Sequence, residues 1–290
     1  MKKQPLISVI MPAYNAELYI SEAIKSILNQ TYQKLELIII NDASTDRTAQ
    51  IIKRFKDKRI KVITLTKNLN GGGDSCANLG IKKARGKYIA RMDADDISHP
   101  QRLEKQIEFL ESHPNVFLVG SQADVIDRNG KYIGEKKEPI HSVEIYNSYF
   151  TFHPLIHPTC MFRRKIGNQK FSYKIKYSAN NDYYTFFTLI CKGYIFANLD
   201  ESLLKLRVHG KNDTFVNIKE KFLNTLKIRA KMVFFNGYRP SIKSVLINIA
   251  QAGTILILPE RILIPLYFKM KGITSSTPFI NPQFKLRGIN

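Results

Sequence analysis

Leu6-Ile7-Ser8-Val9-Ile10-Met11 runs into Pro12-Ala13-Tyr14-Asn15, after which the apolar residues fall at Ile20, Ala23, Ile24, Ile27 and Leu28. The first run is apolar almost throughout and closes at a proline, the pattern of a strand covered on both faces. The second keeps the i, i+3, i+4, i+7, i+8 spacing that turns one stripe of an α-helix toward a core. The alternation then repeats. Leu35 to Ile40 is followed by the turn and capping cluster Asn41-Asp42-Ala43-Ser44-Thr45-Asp46, then by a helical stretch carrying Ile51, Ile52 and Phe55. A strand from Ile60 to Leu65, the glycines Gly71 to Gly73, a short helix to Ala84 and a strand from Lys87 to Met92 complete the series. Buried strands separated by helices predict an α/β fold with a mostly parallel central sheet flanked by helices. Ligands of such sheets gather at the carboxyl ends of the strands.

Tyr14 and Asn15 follow the first strand, Asp42 the second, and Met92-Asp93-Ala94-Asp95-Asp96 the fourth. If the chain is still extended there, Asp93 and Asp95 share a face, since alternate residues of a strand point the same way. Two carboxylates so placed supply hard oxygen ligands where a divalent metal and a diphosphate would meet. The same stretch also reads as an Asp-rich turn ahead of a helix beginning near Pro100. Beyond Gln101 the pattern predicts a helix to about Ser112, short strands near Val116 to Val119 and Tyr132, and an irregular aromatic region from Tyr146 to Phe162. A helix from Tyr183 to Cys191 and strands over Tyr194 to Leu199 and Leu203 to Val208 come next.

The 290 residues carry a formal charge of +21 with 44% apolar composition, which suits a globular chain drawn to anionic partners. The excess is concentrated. Residues 211–290 hold thirteen Lys and Arg against Asp213, Glu220 and Glu260, a balance of +10. The chain therefore divides into a part from 1 to 210 and a basic, apolar helical extension from 211 to 290. Cys76, Cys160 and Cys191 are odd in number and lack metal-ligand spacing, so a reduced, cytoplasmic protein is expected. The run from Leu6 is short for a secretory leader and is expected to be a buried strand.

Five segments, in order, resemble the inverting family 2 glycosyltransferases with a GT-A fold. They are Ser8-Val9-Ile10-Met11-Pro12-Ala13-Tyr14-Asn15; Gln30-Thr31-Tyr32; Ile40 to Asp46; Asn78-Leu79-Gly80 with Ala84-Arg85-Gly86-Lys87-Tyr88-Ile89; and Asp93-Ala94-Asp95-Asp96. The resemblance runs from Ile7 to about His209. It implies an enzyme that moves a sugar from a nucleotide-sugar, a UDP-sugar being the expected donor, to a hydroxyl of a saccharide or lipid-linked acceptor in cell-surface polysaccharide or lipid-linked oligosaccharide assembly. Pro12, Ala13, Tyr14 and Asn15 would flank the nucleotide, with Ala94 also on the donor side. Asp42 would bond the base, Asp93 would approach the ribose or the metal, and Asp95 would hold Mn2+ or Mg2+. Asp182 is the implied general base; Asn181 stands where the family usually has Glu, and Asp182 can equally be an N-cap. His157 and Arg163 fall in a segment similar to the acceptor side, where His157 also reads as a packed loop residue. Arg163, Arg164 and Lys165 would suit a phosphorylated acceptor or simply face solvent. Arg207-Val208-His209 resembles an R-x-H in which His209 meets the metal or diphosphate, its alternative being an exposed strand end. Gly71 to Gly73 can bring amides toward phosphate or serve as a turn.

A nucleotidyltransferase would need a glycine-rich, basic loop after the first strand, and Pro12 to Glu17 contains neither Gly nor a basic residue. A nucleic-acid-binding module would interleave its basic residues with stacking aromatics, whereas the basic tail is interleaved mainly with Ile and Leu and the chain has no Trp. No nucleic acid is expected as a partner. Val245 to Leu258 falls short of the ~20 apolar residues of a membrane span, and Pro259, Glu260, Arg261 and Pro265 break the apolar run that would have to extend it. The coincidence of charge and apolar residues predicts an interfacial anchor on an anionic membrane, at the inner face of the cell membrane; a helical hairpin closing the domain is the other reading.

Overall fold

The computed structural model describes residues 4–69, 73–177, 180–209, 218–259 and 262. In chain order the first half contains β1 (Ile7–Ala13), α1 (Ile20–Leu28), β2 (Leu35–Asn41), α2 (Thr48–Arg54), β3 (Ile60–Thr64), α3 (Asp74–Lys83), β4 (Tyr88–Arg91), β5 (Ile97–Ser98) and α4 (Arg102–Ser112). The second half contains β6 (Val116–Ile126), β7 (Tyr132–Lys136), α5 (Ser142–Ser148), a 3-10 turn over His157–Thr159, β8 (Met161–Arg163), the small hairpin β9 (Lys165–Ile166) and β10 (Gln169–Lys170), α6 (Asn181–Cys191), β11 (Ile195–Arg207), α7 (Ile218–Asn236) and α8 (Ile242–Ile257).

The sheet follows the order β3-β2-β1-β4-β8-β6-β11-β5, with β7 added beside β6. β3, β2, β1 and β4 are parallel, β8 runs against both β4 and β6, and β11 is parallel to β6. Strand alternation splits the core into two layers. Ile7, Val9 and Met11 of β1, with Leu35, Leu37 and Ile39 of β2, pack against Ile20, Ala23, Ile24 and Ile27 of α1 and Leu103, Ile107 and Leu110 of α4. Ile10, Ile38 and Ile40 point to the other face, which is covered by Ala77 and Ile81 of α3 and, further along, by Phe186 and Phe187 of α6. Gly80 lets α3 approach closely, because a Cβ there would stand 2.8 Å from side-chain carbons of Ile10 and Ile40.

The structure departs from the sequence expectations in several places: the stretch expected to be irregular from Tyr146 to Phe162 holds the end of α5, a 3-10 turn and the start of β8, and three strands differ. β6 runs eleven residues, through Gly120, Ser121 and Gln122, because buried polar groups there are satisfied: the Ser121 N–H donates to Thr159 Oγ1, and Gln122 exchanges hydrogen bonds with the Glu138 main chain. The two strands expected on either side of Asp200 and Glu201 are one strand, β11, and shifts of register beside Leu199 and Ser202 absorb the polar interruption. β3 is an edge strand with partly exposed residues rather than one covered on both faces.

α7 and α8 fold back on the body. Ile228 and Met232 join the α6 core, Arg229 Nε donates to Tyr183 Oη at 3.2 Å, and Asn248 Nδ2 donates to the Phe150 carbonyl at 3.0 Å. Among the described residues no helix is long and apolar enough to cross a membrane. Gly71, Gly72, the onset of the basic extension at Lys211 and the apolar stretch around Pro265 lie outside the described residues.

Candidate active site

β4 ends at Arg91, the Met92 N–H donates to the Ile10 carbonyl at 3.1 Å, and the chain turns at Ala94 and Asp95. The chain therefore follows the turn reading of this stretch and does not stay extended from Asp93 to Asp95. The turn also has a result the extended reading lacks: it brings in Asp96, so that oxygens of Asp93, Asp95 and Asp96 lie within 4.8 Å of one another. Asp93 pairs with Arg91 Nη2 at 2.8 Å. Asp95 Oδ2 lies 2.9 Å from His209 Nε2, and its carbonyl accepts from Arg207 Nε at 2.9 Å. Asp96 Oδ1 accepts the Arg207 N–H at 2.9 Å, while its buried Oδ2 makes no hydrogen bond among the described residues. Burial, then the charges of Asp95 and Asp93, pushes the Asp96 carboxyl well above the usual range. Burial also raises Asp93, with Arg91 opposing and Asp95 adding to it. Clustered oxygens, an orphaned buried acceptor and mutual repulsion fit a hard divalent cation.

The segment Arg207 to His209 clasps this turn to α1. The Arg207 guanidinium lies 4.6 Å from the centre of the Tyr19 ring and pairs with Glu22 at 2.6 Å, while the His209 ring stacks on Tyr19 at 5.1 Å. At the neighbouring strand ends, residues 12–15 and 41–46 interlock. Asn15 sits at φ 47°, where an Asn side chain is better tolerated than most; its Oδ1 accepts the Thr45 N–H at 2.8 Å, and its own N–H donates to Ser44 Oγ at 3.1 Å. The Asp42 N–H donates to the Ala13 carbonyl at 2.9 Å, and Asp42 Oδ1 accepts the Leu69 N–H at 3.0 Å. Pro12 and Ala13 close β1, and Tyr14, 54% exposed, offers its ring at the rim.

From the other half of the sheet comes a histidine and carboxylate group. Asp182 is the second residue of α6, whose N-cap is Asn180, so the capping alternative is corrected: its Oδ1 accepts the N–H of the adjacent Tyr183 at 2.7 Å. Its Oδ2 stands 3.3 Å from His153 Nε2 and 3.7 Å from His157 Nδ1. Burial would raise this carboxyl, but the neighbouring His153 and the Tyr183 N–H outweigh it and hold Asp182 below the usual carboxylate range. His157 Nε2 is 2.8 Å from Tyr173 Oη. Burial takes His157 down to about 3, so it is a neutral, packed imidazole. Asn181 is buried, and its Oδ1 accepts the N–H groups of Lys176 and Tyr177 at 2.9 and 2.8 Å, so the residue in the usual Glu position ties the preceding loop to α6.

Arg163 lies elsewhere. It pairs in register with Tyr88 at the start of β4, the end opposite Asp93, and its guanidinium donates to the carbonyls of Val116, Leu110 and His113 and to Tyr88 Oη. The sequence expectation missed Arg91, Asp96 and His153. Arg91 and Asp96 flank the recognised doublet, whereas nothing local marks His153.

A sheet of this order, with a carboxylate turn at the centre of its strand ends, defines a GT-A type transferase. The sequence matches the Glycosyl transferase family 2 over residues 8–170, and the chain belongs to that family: it is a glycosyltransferase. It is 35% identical over 250 residues to an uncharacterized glycosyltransferase of Haemophilus influenzae, covering 81% of this chain and 75% of that one. It is 34% identical over 213 residues to the O-antigen biosynthesis glycosyltransferase WbnJ of Escherichia coli, covering 71% and 81%. The fold is similar to that of S. aureus TarS 1-349 in complex with UDP, with TM-score 0.62, 19% identity and coverage of 91% and 75%. It is similar also to the mannosyltransferase PcManGT from Pyrobaculum calidifontis in complex with GDP-Man and Mn2+, with TM-score 0.57, 18% identity and coverage of 93% and 81%.

Proposed function

We propose that this chain is a divalent-metal-dependent, inverting glycosyltransferase that takes a nucleoside diphosphate sugar, a UDP-sugar being the first choice, and glycosylates a saccharide or lipid-linked acceptor of cell-surface polysaccharide assembly. The observation that carries the reading is the convergence of the Asp93, Asp95 and Asp96 turn after β4 with Asp182 at the head of α6, whose charge acts on Asp93. The solved relatives with UDP and with GDP-Man and Mn2+ support the donor class, and the O-antigen relative supports the acceptor class.

Pro12, Ala13, Tyr14, Asn15 and Asp42 form the nucleotide end, with Tyr14 and Asp42 facing the base and Ala94 leaving room beside Asp93. Asp95, Asp93 and His209 would hold Mn2+ or Mg2+, which when bound supplies electrostatic stabilisation of the departing diphosphate. Asp182 Oδ2 accepts the proton of the attacking hydroxyl, from the side opposite the nucleotide, so substitution inverts the anomeric centre. Being held below the usual carboxylate range, it is ionised at neutral pH, so its contribution as a base rests on position and not on raised basicity. His157 is a positioning residue: neutral, fixed by Tyr173, it sets the place of the carboxylate without sharing the proton. Residues 1–210 form the catalytic part and 211–290 an extension that holds the enzyme on the inner face of the cell membrane.

The test is thermal stability of the full chain with UDP, GDP and dTDP, each with and without Mn2+, because a ligand bound by the native state alone raises its stability. A nucleotide-dependent shift enlarged by Mn2+ is expected. No shift with any of the three sinks the reading.

A further inference from the structure

Asp74 has no part in the mechanism above, yet with Asp96 it is one of the two most buried carboxylates at the site. It opens α3 directly after Gly73, whose φ of 81° sets the entry of the helix. The residue is 4% exposed, and Oδ1 makes no hydrogen bond among the described residues. Leaving a buried acceptor unmade costs about 1–3 kcal/mol, more when it is charged, so a position like this calls for a donor from outside the chain. The Asp182 N–H donates to this carboxylate, but no neighbouring group among the described residues donates to Oδ1. His157 Nε2 is 3.9 Å away and already engaged with Tyr173 Oη. Arg91 matches its charge with Asp93 and donates Nη1 to the Met92 carbonyl at 2.7 Å. Asp182 lies on the other side of the same imidazole.

The direction of approach identifies the missing donor. α3 comes after β3 and packs on β1 and β2, in the half of the sheet assigned to the nucleotide. A Cβ on Gly73 would be 3.2 Å from Arg91 Nη2 and 3.8 Å from Pro12 Cβ, so the head of α3 sits against the end of β1 and the cation behind Asp93. His157 and Asp182 come from the other half. A group held between the nucleotide end and the base is the sugar being transferred.

We propose that Asp74 accepts a hydroxyl of the transferred sugar and makes the site selective for a neutral hexose or N-acetylhexosamine over a sugar acid. This rests on the donor-binding reading above. A uronate would add a carboxylate beside Asp74, Asp93 and Asp182, where Arg91 is already matched by Asp93 and Arg102, which also acts on Asp93, donates to Gln106 and the Arg91 carbonyl. Burial, followed by the charge of Asp182, raises the Asp74 carboxyl, so a further anion there is disfavoured in the same sense.

The experiment is calorimetry on the full chain with Mn2+ present, using UDP, GDP, UDP-glucose, UDP-galactose, UDP-N-acetylglucosamine, GDP-mannose and UDP-glucuronate. Asp74→Ala should weaken the best-bound neutral sugar nucleotide about tenfold, the loss of one hydrogen bond to a charged or buried acceptor, while leaving the parent nucleoside diphosphate within about twofold. Asp74→Asn, which keeps a carbonyl oxygen in place, should recover most of the loss. UDP-glucuronate should bind wild type more weakly than the neutral sugars. Equal binding of the uronate, or a sugar affinity untouched in Asp74→Ala, overturns the assignment, as does an equal loss for nucleotide and sugar nucleotide, which marks a structural role. If wild type binds neither UDP nor GDP the underlying donor reading fails first, and is recognised as failing there.

Discussion

Asp95 is the residue whose removal asks the clearest question of the site. Its carboxylate meets His209, while the turn itself is gripped through the Asp95 carbonyl and Asp96 by Arg207. Asp95→Ala therefore leaves the main-chain anchors in place. It should abolish transfer and remove the Mn2+-dependent part of nucleoside diphosphate binding, with melting close to wild type; calorimetry showing unchanged metal-dependent affinity would refute the metal assignment. Asp182→Asn keeps shape and the Tyr183 N–H bond but not basicity, so donor binding should persist while the chemical step falls roughly 10²- to 10⁴-fold. Turnover within a few-fold of wild type would return the search for a base to His157. The Asp93 and Asp95 pair was legible because a doublet spaced by one residue is a local pattern. Asp96 was not, since it joins the cluster only if the chain turns at Ala94, and sequence spacing alone left extended and turned readings open. Asp74 and His153 were illegible for a different reason: their partners stand far along the chain, and burial creates their significance. Arg163 looked like a phosphate ligand because it heads a run of three cations, but strand register sends its guanidinium to carbonyls at the far end of β4.

At the scale of elements, α6 both closes the core and delivers Asp182. Phe186 on its inner face is fully buried, with Phe171, Tyr173, Phe196 and His157 around it. Phe186→Ala should cost about 3–5 kcal/mol in urea unfolding and lower activity further by loosening the helix that carries the base. A loss below about 1 kcal/mol would mean that the aromatic layer does not hold α6. β1, β2, β3 and the turn before β4 meet around one buried carboxylate: Glu36 accepts from Ser8 Oγ at 2.6 Å, Lys61 Nζ at 2.7 Å and the Arg85 N–H at 2.7 Å. Burial would raise this carboxyl, but those donors bring it down to about 2 from 4.5. A folded value below the unfolded one stabilises the native state above the unfolded pKa, and the benefit is lost as pH falls from about 4.5 toward 2. Glu36→Gln should flatten stability against pH across that window and cost about 2 kcal/mol at neutral pH; an unchanged acid limb would show that Glu36 is not the group responsible. The parallel strands were readable because continuous apolar runs have few other uses. β6 and β11 were not read at full length, because Gly120 to Gln122 and Asp200 to Ser202 look like loops until partners distant in sequence satisfy or bulge them.

On the scale of the molecule, charge and apolar surface meet at the hairpin of α7 and α8. Its inner side packs on α6 and the Tyr146 to Phe150 segment, which fits the hairpin reading, but that contact leaves another face over. Ile242, Leu246, Ile249 and Ile257 are 82%, 62%, 63% and 80% exposed, and their spacing places them along one side of α8. Phe234 and Phe235 stand exposed at the end of α7, with Arg239 between the two helices and Lys243 in the first turn of α8. Sixteen residues make a helix of ~24 Å, shorter than the ~30 Å hydrocarbon layer, so this stripe suits insertion along the interface rather than across it. We predict that the full chain floats with anionic vesicles at low salt and with neutral vesicles weakly. Salt should reduce capture, since the Debye length shrinks to ~3 Å at 1 M, while burial of Ile and Leu keeps a fraction bound. Replacing Leu246 and Ile249 by Glu should remove that salt-resistant fraction without lowering the melting temperature, because both side chains lie off the packed face. Flotation with neither vesicle, or a double variant that binds as wild type does, would leave the hairpin as a purely structural closure and place the acceptor's route to Asp182 in solution.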